Sequence, residues 1–446
     1  MPKIPSISIF RHRAYANYWG MRQLTTFCRQ MTTVAIGWQA YDIARQTRSI
    51  EEAAFILGLI GLTMFLPVLL FSLIGGQAAD RFDKTRILLV ASVMKALCFS
   101  ALASQSIGDQ TPTLLFLFVA SGALGFINAF VPAASNALYP TLVPRDMLPT
   151  AIGWNALGFQ SSSIIGPAFG GYLFIGGAEL VYSVAGFLTL VSTLLVVRIG
   201  RQPPTKHRHS NGLSMVVEGI KYLGTNKLVL GSISLDLIVV FFGGATALLP
   251  VFARDILDVG ASGLGLLRAA PAVGAVMVAT VLATAPLKRR VGKWMFAAVV
   301  LYGFAMLGFG ISTSFWLSVA ILIIAGASDM VSVYVRQSLI QLSTPDEMKG
   351  RVSSVSFIFI SASNELGEFE SGIAARFLGP VGAVILGGTA AVVSGGLWIK
   401  VFPALWRADV IDETQEISID DKPIGEPDRA DSARLGAHRR TAAPAE

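Results

Sequence analysis

A cluster of charged residues between positions 76 and 86 interrupts the apolar pattern of the chain. Its sequence is Gly-Gln-Ala-Ala-Asp-Arg-Phe-Asp-Lys-Thr-Arg, and it lies at the junction of two long apolar stretches, 53–79 and 87–106. A helix that crosses a bilayer needs about 20 predominantly apolar residues, and both stretches meet that requirement. The pattern predicts a membrane hairpin with its charged turn at the cytoplasmic surface, because cytoplasmic loops carry an excess of Lys and Arg.

The composition of the whole chain is typical of a membrane protein. Of its 446 residues, 53% are hydrophobic and only 14% are charged, whereas a soluble domain carries about 25% charged residues. A strand barrel is not indicated, since its signature is alternating segments of about 10 residues. We therefore predict an all-α membrane protein with about twelve transmembrane helices. The predicted spans are 17–42, 53–79, 87–106, 113–137, 150–176, 179–198, 227–252, 263–285, 294–311, 315–338, 352–376 and 381–403.

The net charge of +7 does not indicate a nucleic-acid partner, because the cations concentrate in alternate loops. This distribution marks the cytoplasmic side of a membrane protein, so both termini are predicted to be cytoplasmic. We expect no cleavable signal peptide, and we expect the first helix to act as its own insertion signal. The cations that set this orientation are Lys3, Arg11 and Arg13 before the first span, Arg81, Lys84 and Arg86 after the second, Arg198, Arg201, Lys206 and Arg208 after the sixth, and Lys288, Arg289, Arg290 and Lys293 after the eighth.

Neither a metal site nor a nucleotide site is predicted. Cys28 and Cys98 fall within the first and third predicted helices, so they are expected to be core thiols rather than a disulfide framework. The four histidines lie in loops or tails without metal-ligand spacing. No Gly-rich segment ends in Lys-Ser or Lys-Thr, which argues against ATP-driven pumping by this chain. We therefore expect no cofactor and no enzymatic activity.

A run of proline and basic residues after the sixth span divides the chain into two halves. We predict a first six-helix bundle over 1–198, a cytoplasmic linker over 199–226 and a second six-helix bundle over 227–405. Within the linker, 214–223 is expected to be either an amphipathic surface helix or an extended tether. The polar segment 406–446 is predicted to be disordered, because it lacks the apolar content that would offset its ordering entropy.

Two pairs of similar segments indicate an internal repeat. The run Arg-Arg-Val-Gly-Lys at 289–293 repeats the Gly and Lys of the charged turn, with Arg289 where the first copy has Asp80. Pro-Arg-Asp-Met at 144–147 is matched by Pro-Asp-Glu-Met at 345–348. Weak symmetry of this kind is typical of transporters whose two halves are related by an axis along the membrane normal.

Charged and strongly polar side chains within the predicted spans are few, and each is a candidate for function. A charge at bilayer depth costs roughly 2.5–3.5 kcal/mol on insertion scales, so such residues usually face a cavity or a partner. The candidates are Arg22 and Arg29 in the first helix, Lys95 in the third, Asp236 in the seventh, Arg268 in the eighth, Asp329 in the tenth, and Asn364, Glu365, Glu368 and Glu370 in the eleventh. Lys95 is expected to snorkel or to have a fixed partner.

Glu365 and Glu368 are the leading candidates. With Asn364 they share one helix face by three-to-four spacing, whereas Glu370 points away. A desolvated carboxyl favours its neutral form and an approaching cation favours the charged form, so these residues suit proton or cation coupling. The alternative is a structural ion pair with Arg268 or another buried cation. The same two interpretations, a role in transport or a structural ion pair, apply to Asp236, Asp329, Arg22 and Arg29.

The fifth predicted helix carries a motif formed by Gly166, Pro167, Gly170 and Gly171. Glycines allow neighbouring backbones to approach closely, and the proline bends or locally opens the helix. Helix packing without any effect on transport direction is the alternative reading. Before the motif, Gln160, Ser161 and Ser163 are expected to line a cavity. Asn128 in the fourth helix is interpreted as a close-packing position.

The charged turn resembles the loop between the second and third helices of major facilitator transporters. The matching positions are Gly76, Asp80, Arg81, Lys84 and Arg86, and Asp83 stands where the family usually has Gly. The helix-five motif resembles that of major facilitator antiporters that export their substrates. Segments 219–223, 248–255, 263–271 and 344–352 resemble the bacterial transmembrane secretion effector group, which is similar to enterobactin exporters and proton-linked drug efflux proteins.

This resemblance implies an exporter that works by alternating access in the bacterial inner membrane. It also implies that Asp80 holds the cytoplasmic gate by meeting the start of helix eleven, near Ser353 and Ser354, since a carboxylate favours a helix N-terminus. Two departures bear on coupling. Helix four lacks the Arg that many antiporters carry, and helix one has no acidic residue before Asp42 at its outer edge.

We therefore predict efflux of small organic molecules, either drugs or siderophore-like metabolites, coupled to protons and carried out by a monomer in the lipid bilayer. The first alternative is an importer on the same scaffold. The second is a non-transporting membrane protein that serves as a sensor or assembly partner. That second alternative predicts paired intramembrane carboxylates and no central cavity.

Overall fold

Nearly all of the described chain is helical. The computed structural model describes residues 7–108, 111–202, 212–287, 289–411 and 417–419. The α-helices are α1 Arg13–Arg45, α2 Ile50–Arg81, α3 Lys84–Ser104, α4 Leu114–Leu138, α5 Leu148–Leu173, α6 Ala178–Ile199, α7 Gly212–Thr225, α8 Lys227–Phe242, α9 Leu249–Val251, α10 Gly260–Thr284, α11 Val291–Ile311, α12 Phe315–Ser343, α13 Asp346–Val401 and α14 Pro403–Trp406. Short 3-10 turns occupy Ile7–Arg11, Tyr139–Thr141, Arg145–Met147, Phe174–Gly176 and Ala245–Leu248, and a π-helical turn, Phe252–Ile256, continues α9.

Nine helical segments in these ranges are long and apolar enough to cross a bilayer. The helices α1, with 33 residues, and α5, with 26, are long enough but more polar, and they are not among the nine. Helix α13 has 56 residues and breaks at Gly379, whose φ of 74° lies in the left-handed region, just before Pro380. Its length suffices for two crossings of about 20 residues each. The predicted class, a helical membrane protein, is confirmed, and the count of twelve spans stays a prediction.

Short polar residues begin the helices that follow the tight turns. The Ser49 hydroxyl accepts a hydrogen bond from the Glu52 backbone N–H at 3.2 Å and caps α2. The Asp83 carboxylate accepts from the Thr85 N–H at 2.9 Å and from the Gln202 N–H at 3.4 Å. A side-chain oxygen at this position satisfies a backbone donor that has no partner within the helix. Asp83 therefore fixes the start of α3 at the position where the family usually has Gly.

The long helices form two groups. Helices α1 to α6 pack mainly on one another, with α1 against α5 and α6, α2 against α4, and α3 against α4 and α6. Helices α8 to α14 do the same, with α10 against α12, and α13 against α8 and α11. We call these sets the first group and the second group. The domain boundaries at 198, 226 and 405 stay a prediction.

Helix α7 lies along the second group. The carboxylate of Glu218 pairs with Arg351 at 2.6 Å, and the Tyr222 hydroxyl donates to the Ser343 carbonyl oxygen at 2.9 Å. The segment is helical, so the extended tether is wrong for it, and its position at the membrane surface stays a prediction. Residues 203–211 of the linker lie outside the described residues.

The tail that was predicted to be disordered begins with ordered structure. Strand β1, Ala408–Ile411, pairs antiparallel with β2, Ile417–Ile419. Ala408 is buried in a core cluster with Leu405 and Met295, and this burial offsets the ordering entropy of the segment. The prediction of disorder is thus wrong for 406–411, while 412–416 and 420–446 lie outside the described residues.

The two groups meet at the end of the molecule where α1 ends and α2 begins. There α2 crosses α13 so closely that a Cβ atom on Gly372 would lie 2.9 Å from the Gly58 Cα. Helix α5 crosses α10 in the same way, and a Cβ atom on Gly171 would lie 2.9 Å from the Gly265 Cα. Both crossings bring backbone against backbone. We call this the sealed end.

At the opposite end, α2 and α13 carry exposed apolar side chains. Leu70 and Ile74 of α2 are 60% and 51% exposed, and Ile358 and Phe359 of α13 are each 41% exposed. A Cβ atom on Gly76 would meet nothing within 4 Å. We call this the open end.

Candidate functional site

The helix-five motif lies at the sealed end and packs α5 against two other helices. A Cβ atom on Gly170 would lie 2.9 Å from the Met31 Cα of α1. A Cβ atom on Gly265 of α10 would lie 2.6 Å from the Pro167 carbonyl oxygen, and one on Gly166 would lie 3.2 Å from the carbonyl oxygen of Phe27. A larger residue at any of these glycines would push the helices apart. The effect of the motif on transport direction stays a prediction.

Two ion pairs join the groups at the sealed end. Arg254 contacts Asp42 at 2.6 Å, and Arg45 contacts Asp255 at 3.2 Å. The Tyr41 hydroxyl also donates to Asp255 Oδ2 at 2.6 Å. The sequence analysis did not assign these residues to a site. The first and the seventh predicted spans both end with an acidic and a basic residue close together in the sequence. That shared pattern is the signal that could have found these residues.

A cluster of four charged side chains lies between the groups. Arg268 of α10 reaches α1, where its Nη1 donates to the Thr33 carbonyl oxygen at 3.3 Å. Arg268 interacts electrostatically with both Glu365 and Glu368 of α13, and Arg29 of α1 interacts with Glu365. Within the described ranges, neither carboxylate has a Lys or Arg nitrogen within 4.0 Å. The structure thus brings together four predicted residues from both groups without a short ion pair.

A cavity of about 190 Å³ opens beside this cluster in the second group. Its polar lining includes Asp329, Asn364 and Glu368, together with Tyr302 and Thr246. The Thr246 hydroxyl lies 3.4 Å from Glu368 Oε1, and the Tyr302 hydroxyl donates to a backbone carbonyl at 3.2 Å. Asp329, Asn364 and Glu368 therefore share one polar space, whereas Glu365 lies outside its lining.

Asp236 does not join this cavity, because it is paired elsewhere. Its Oδ1 forms an ion pair with Arg336 of α12, and both side chains are 4% exposed. For Asp236 the structural reading therefore fits best. Sequence analysis missed Arg336, which lies near the end of the tenth predicted span. The signal that could have found it is a basic residue in the same predicted span as the acidic Asp329.

Other candidates lie outside the cluster. Arg22 is held by the Tyr18 hydroxyl at 2.9 Å and by Asn136 Oδ1 at 3.3 Å, so a local polar network explains it. Gln160 is half-buried and makes no hydrogen bond with the part of the chain that is described. Glu370 is half-buried and is not among the charged groups that interact with Arg29 or Arg268.

The residues of the charged turn lie at the open end. Asp80, Arg81 and Arg86 are exposed, whereas Lys84 is buried. Among the residues that the structure describes, Asp80 forms no hydrogen bond or ion pair. If this end closes when Asp80 meets the start of α13, the Asp80 carboxylate is expected to be unbound while the end is open, as it is in the described structure. Its gating role stays a prediction, and the side chain of Ser354 lies outside the described residues.

Solved structures with the same arrangement of helices are membrane transporters. A bacterial homolog of the human lysosomal transporter Spinster, solved inward-facing and unoccupied, matches with a TM-score of 0.65 at 15% identity, over 89% of this chain and 96% of that one. A POT family transporter in complex with 5-aminolevulinic acid matches with a TM-score of 0.69 at 12% identity, over 88% and 96%. A D-xylose-proton symporter matches with a TM-score of 0.65 at 11% identity, over 88% and 98%. At these identities the likeness defines the fold, which is that of a major facilitator transporter.

The chain belongs to the transmembrane secretion effector family, whose sequence profile matches residues 4–425. It is therefore a major facilitator membrane protein and not an enzyme. It is similar to Enterobactin exporter EntS of Shigella boydii serotype 4 (strain Sb227), with 26% identity over 362 residues that cover 80% of this chain and 84% of the relative. It is also similar to Enterobactin exporter EntS of Escherichia coli O1:K1 / APEC, with 26% identity over 344 residues that cover 77% and 80%.

Proposed function

We propose that this chain exports small organic molecules from the cytoplasm by alternating access. The observation that carries the proposal is the central charge cluster, to which the first group contributes Arg29 and the second contributes Arg268, Glu365 and Glu368. The groups that share this cluster touch closely at the sealed end. Two halves that rock about a shared central site expose it to each side of the membrane in turn.

The open end is proposed to face the cytoplasm of a bacterial cell, which places both termini in the cytoplasm and gives twelve crossings. An excess of Lys and Arg marks cytoplasmic loops. At the sealed end, Arg45 and Arg254 are offset by Asp255 and Asp42. The basic residues near the open end are Arg81, Arg86, Arg198, Arg201, Arg289 and Arg290.

Glu365 and Glu368 are proposed to couple export to protons. Each can exchange a proton without breaking an ion pair shorter than 4.0 Å to the described residues. Arg29 lies on the first group and Arg268 on the second, so rocking changes the separation between Glu365 and Arg29. A nearer cation favours the charged carboxylate, and a more distant one favours the neutral form. That change would link proton exchange to the direction in which the cavity opens.

The substrate is proposed to be a siderophore-like metabolite or a drug. The relatives named above are enterobactin exporters by name. In this chain, the cavity beside the cluster combines the polar Asp329, Asn364 and Tyr302 with the apolar Met306 and Leu322. A lining that is mostly apolar with a few placed polar groups is typical of sites for organic molecules.

A non-transporting sensor would pair its intramembrane carboxylates and lack a cavity. Asp236 follows that pattern, but Glu365 and Glu368 do not, and the cavity of about 190 Å³ supports a transporter. An importer on the same scaffold predicts the opposite direction of movement. The helix-five motif favours export, by resemblance to exporting antiporters.

Inverted membrane vesicles test the proposal. Vesicles that contain the full chain should accumulate enterobactin or ethidium, used here as a siderophore probe and a drug probe, when their interior is acidified. Right-side-out vesicles should not accumulate either probe. Accumulation only in right-side-out vesicles would establish the importer. If correctly inserted protein moves neither probe in either orientation, although exporters of the same probes do so in parallel, the proposal is wrong.

A further inference from the structure

A second, smaller pocket lies inside the first group. Its volume is about 20 Å³, which is room for about one water molecule or a small ion. Two cations and no acidic residue appear in its lining, as far as the described residues go. Arg29, Lys95, Asn128 and Cys28 are among the residues that form the lining.

Lys95 gives this pocket a cation without a counter-charge. It lies in the middle of α3, is 6% exposed, and makes no hydrogen bond or ion pair with any described residue. The charged side chain near it is Arg29, which is also a cation. Snorkelling and a fixed partner, the two sequence-based expectations, are both absent from the described structure. An isolated buried ammonium is costly, and an anion beside it reduces that cost.

The wider cluster carries an excess of positive charge. Among the described residues, Arg29 and Arg268 interact with two carboxylates, Glu365 and Glu368, and with Lys95 added the fully ionised set of five has a net charge of one positive unit. Glu365 interacts with Arg29, but no carboxylate in the described part of the chain interacts with Lys95. Lys95, which lines the small pocket together with Arg29, is therefore the cation of this set that lacks a counter-charge.

We propose that this pocket binds a singly charged anion through Lys95, Arg29 and the side-chain amide of Asn128. Asn128 is half-buried and forms no hydrogen bond in the described part of the chain, so its amide N–H groups are available to a ligand. The chemistry fits a carboxylate or phenolate end group of an exported molecule, or a free chloride ion. The volume admits an end group or a single ion but not a whole organic molecule.

This inference rests on the proposed export function for its biological meaning, because an acidic substrate would place its charged end in the first group. Its test measures binding alone, so it can fail while export stands. Purified full-length protein is titrated with sodium benzoate, with the neutral isostere benzamide, and with chloride in exchange for a bulky anion at constant ionic strength. The readout is the unfolding temperature, which rises with saturation when a ligand binds only the folded state.

Benzoate or chloride should raise the unfolding temperature of the unaltered chain, and benzamide should not. Lys95→Met should weaken the apparent affinity at least tenfold, while Lys95→Arg should keep most of it. Arg22→Gln is the matched control, because it removes an intramembrane cation that the Tyr18 and Asn136 network holds outside the pocket. This control should bind as the unaltered chain does.

The benzoate and chloride titrations distinguish an organic acid group from an inorganic anion as the ligand. A response to benzoate alone identifies an organic acid group, and a response to chloride, with or without benzoate, identifies an inorganic anion site. Because Cys28 lines the pocket and Cys98 does not, the bound anion should also slow alkylation of Cys28 relative to Cys98. The proposal is overturned if neither anion stabilises the unaltered chain, or if Lys95→Met binds both as well as the unaltered chain does.

Discussion

Two sets of carboxylates within the helices of the second group differ in their partners. Asp236 is locked to Arg336, and both side chains are almost fully buried. Glu365 and Glu368 belong to the charge cluster between the groups, with Arg268 and Arg29 nearby but, among the described residues, not in short ion pairs. A charge at bilayer depth is costly, so such a residue usually has a partner or faces a cavity. Both arrangements meet this requirement.

The difference separates a structural charge from one that can cycle. A carboxylate in a tight buried pair stays charged, because loss of the charge would leave the opposite charge uncompensated. A carboxylate beside a cavity can exchange protons when a nearby cation moves. Four variant series test this contrast and then the two ends of the molecule between which the cavity lies.

The largest expected effect is the loss of coupling in the Glu365→Gln, Glu368→Gln double variant. Gradient-driven export should fall to background, because neither amide can carry a proton, while downhill exchange of substrate should persist. Paired transport in vesicles with and without an imposed pH gradient measures both. Glu370→Gln is the matched control on the same helix and should retain export. Unchanged gradient-driven export in the double variant would move the assignment to Asp329.

The next effect is on stability and concerns Asp236. Asp236→Asn should destabilise the protein by roughly 3–5 kcal/mol, because it leaves Arg336 charged and buried without its partner. Replacing both, as Asp236→Leu with Arg336→Met, should recover most of that loss and retain coupled transport. Thermal unfolding and vesicle transport are the measurements. Loss of coupling in a double variant that is as stable as the unaltered chain would show that this pair also cycles.

A smaller effect is expected at the open end. Asp80→Asn should slow export with unchanged protein in the membrane, because a carboxylate at a helix N-terminus contributes about 0.3–2 kcal/mol to the state that closes this end. Asp83→Asn is the control, since an asparagine oxygen also caps a helix, and it should transport normally. Equal transport rates for Asp80→Asn and the unaltered chain would remove Asp80 from the gate.

The smallest effect is expected at the sealed end, where the ion pairs are partly exposed. Pairs of this kind contribute about 0.2–1 kcal/mol, so Asp255→Asn should shift the population toward opening by only a few-fold. Distance measurements between spin labels on α2 and α13 at the sealed end would detect the shift. Glu52→Gln, an exposed acid in the first turn of α2, should leave the distances unchanged. A shift equal to that of the control would mean that the glycine crossings alone seal this end.

Much of the fold could be read from the sequence, because a bilayer imposes a length and an apolar composition on every span. The predicted spans 352–376 and 381–403 correspond to the two parts of α13 on either side of Gly379. The candidate cluster around Glu365 and Glu368 was also predictable, since ionisable residues within spans are rare and costly.

What the sequence could not supply is the pairing of side chains that are far apart in the chain. Asp236 and Arg336 meet only because α8 and α12 pack together. The sequence pattern of either helix alone does not predict that contact. Lys95 shows the converse case, because only the packing reveals that no carboxylate of a described residue reaches it. The start of the tail at Ala408 was misjudged because its polar composition hid its contacts with Leu405 and Met295.

The glycine crossings at the sealed end have a consequence for the membrane as an electrical insulator. At Gly58 with Gly372, and at Gly171 with Gly265, backbones touch without intervening side chains. At these two crossings the contact leaves no room for a file of water molecules between the helices. Protons and small ions would then be held back at these crossings, so the proton gradient would not drain through them without moving substrate.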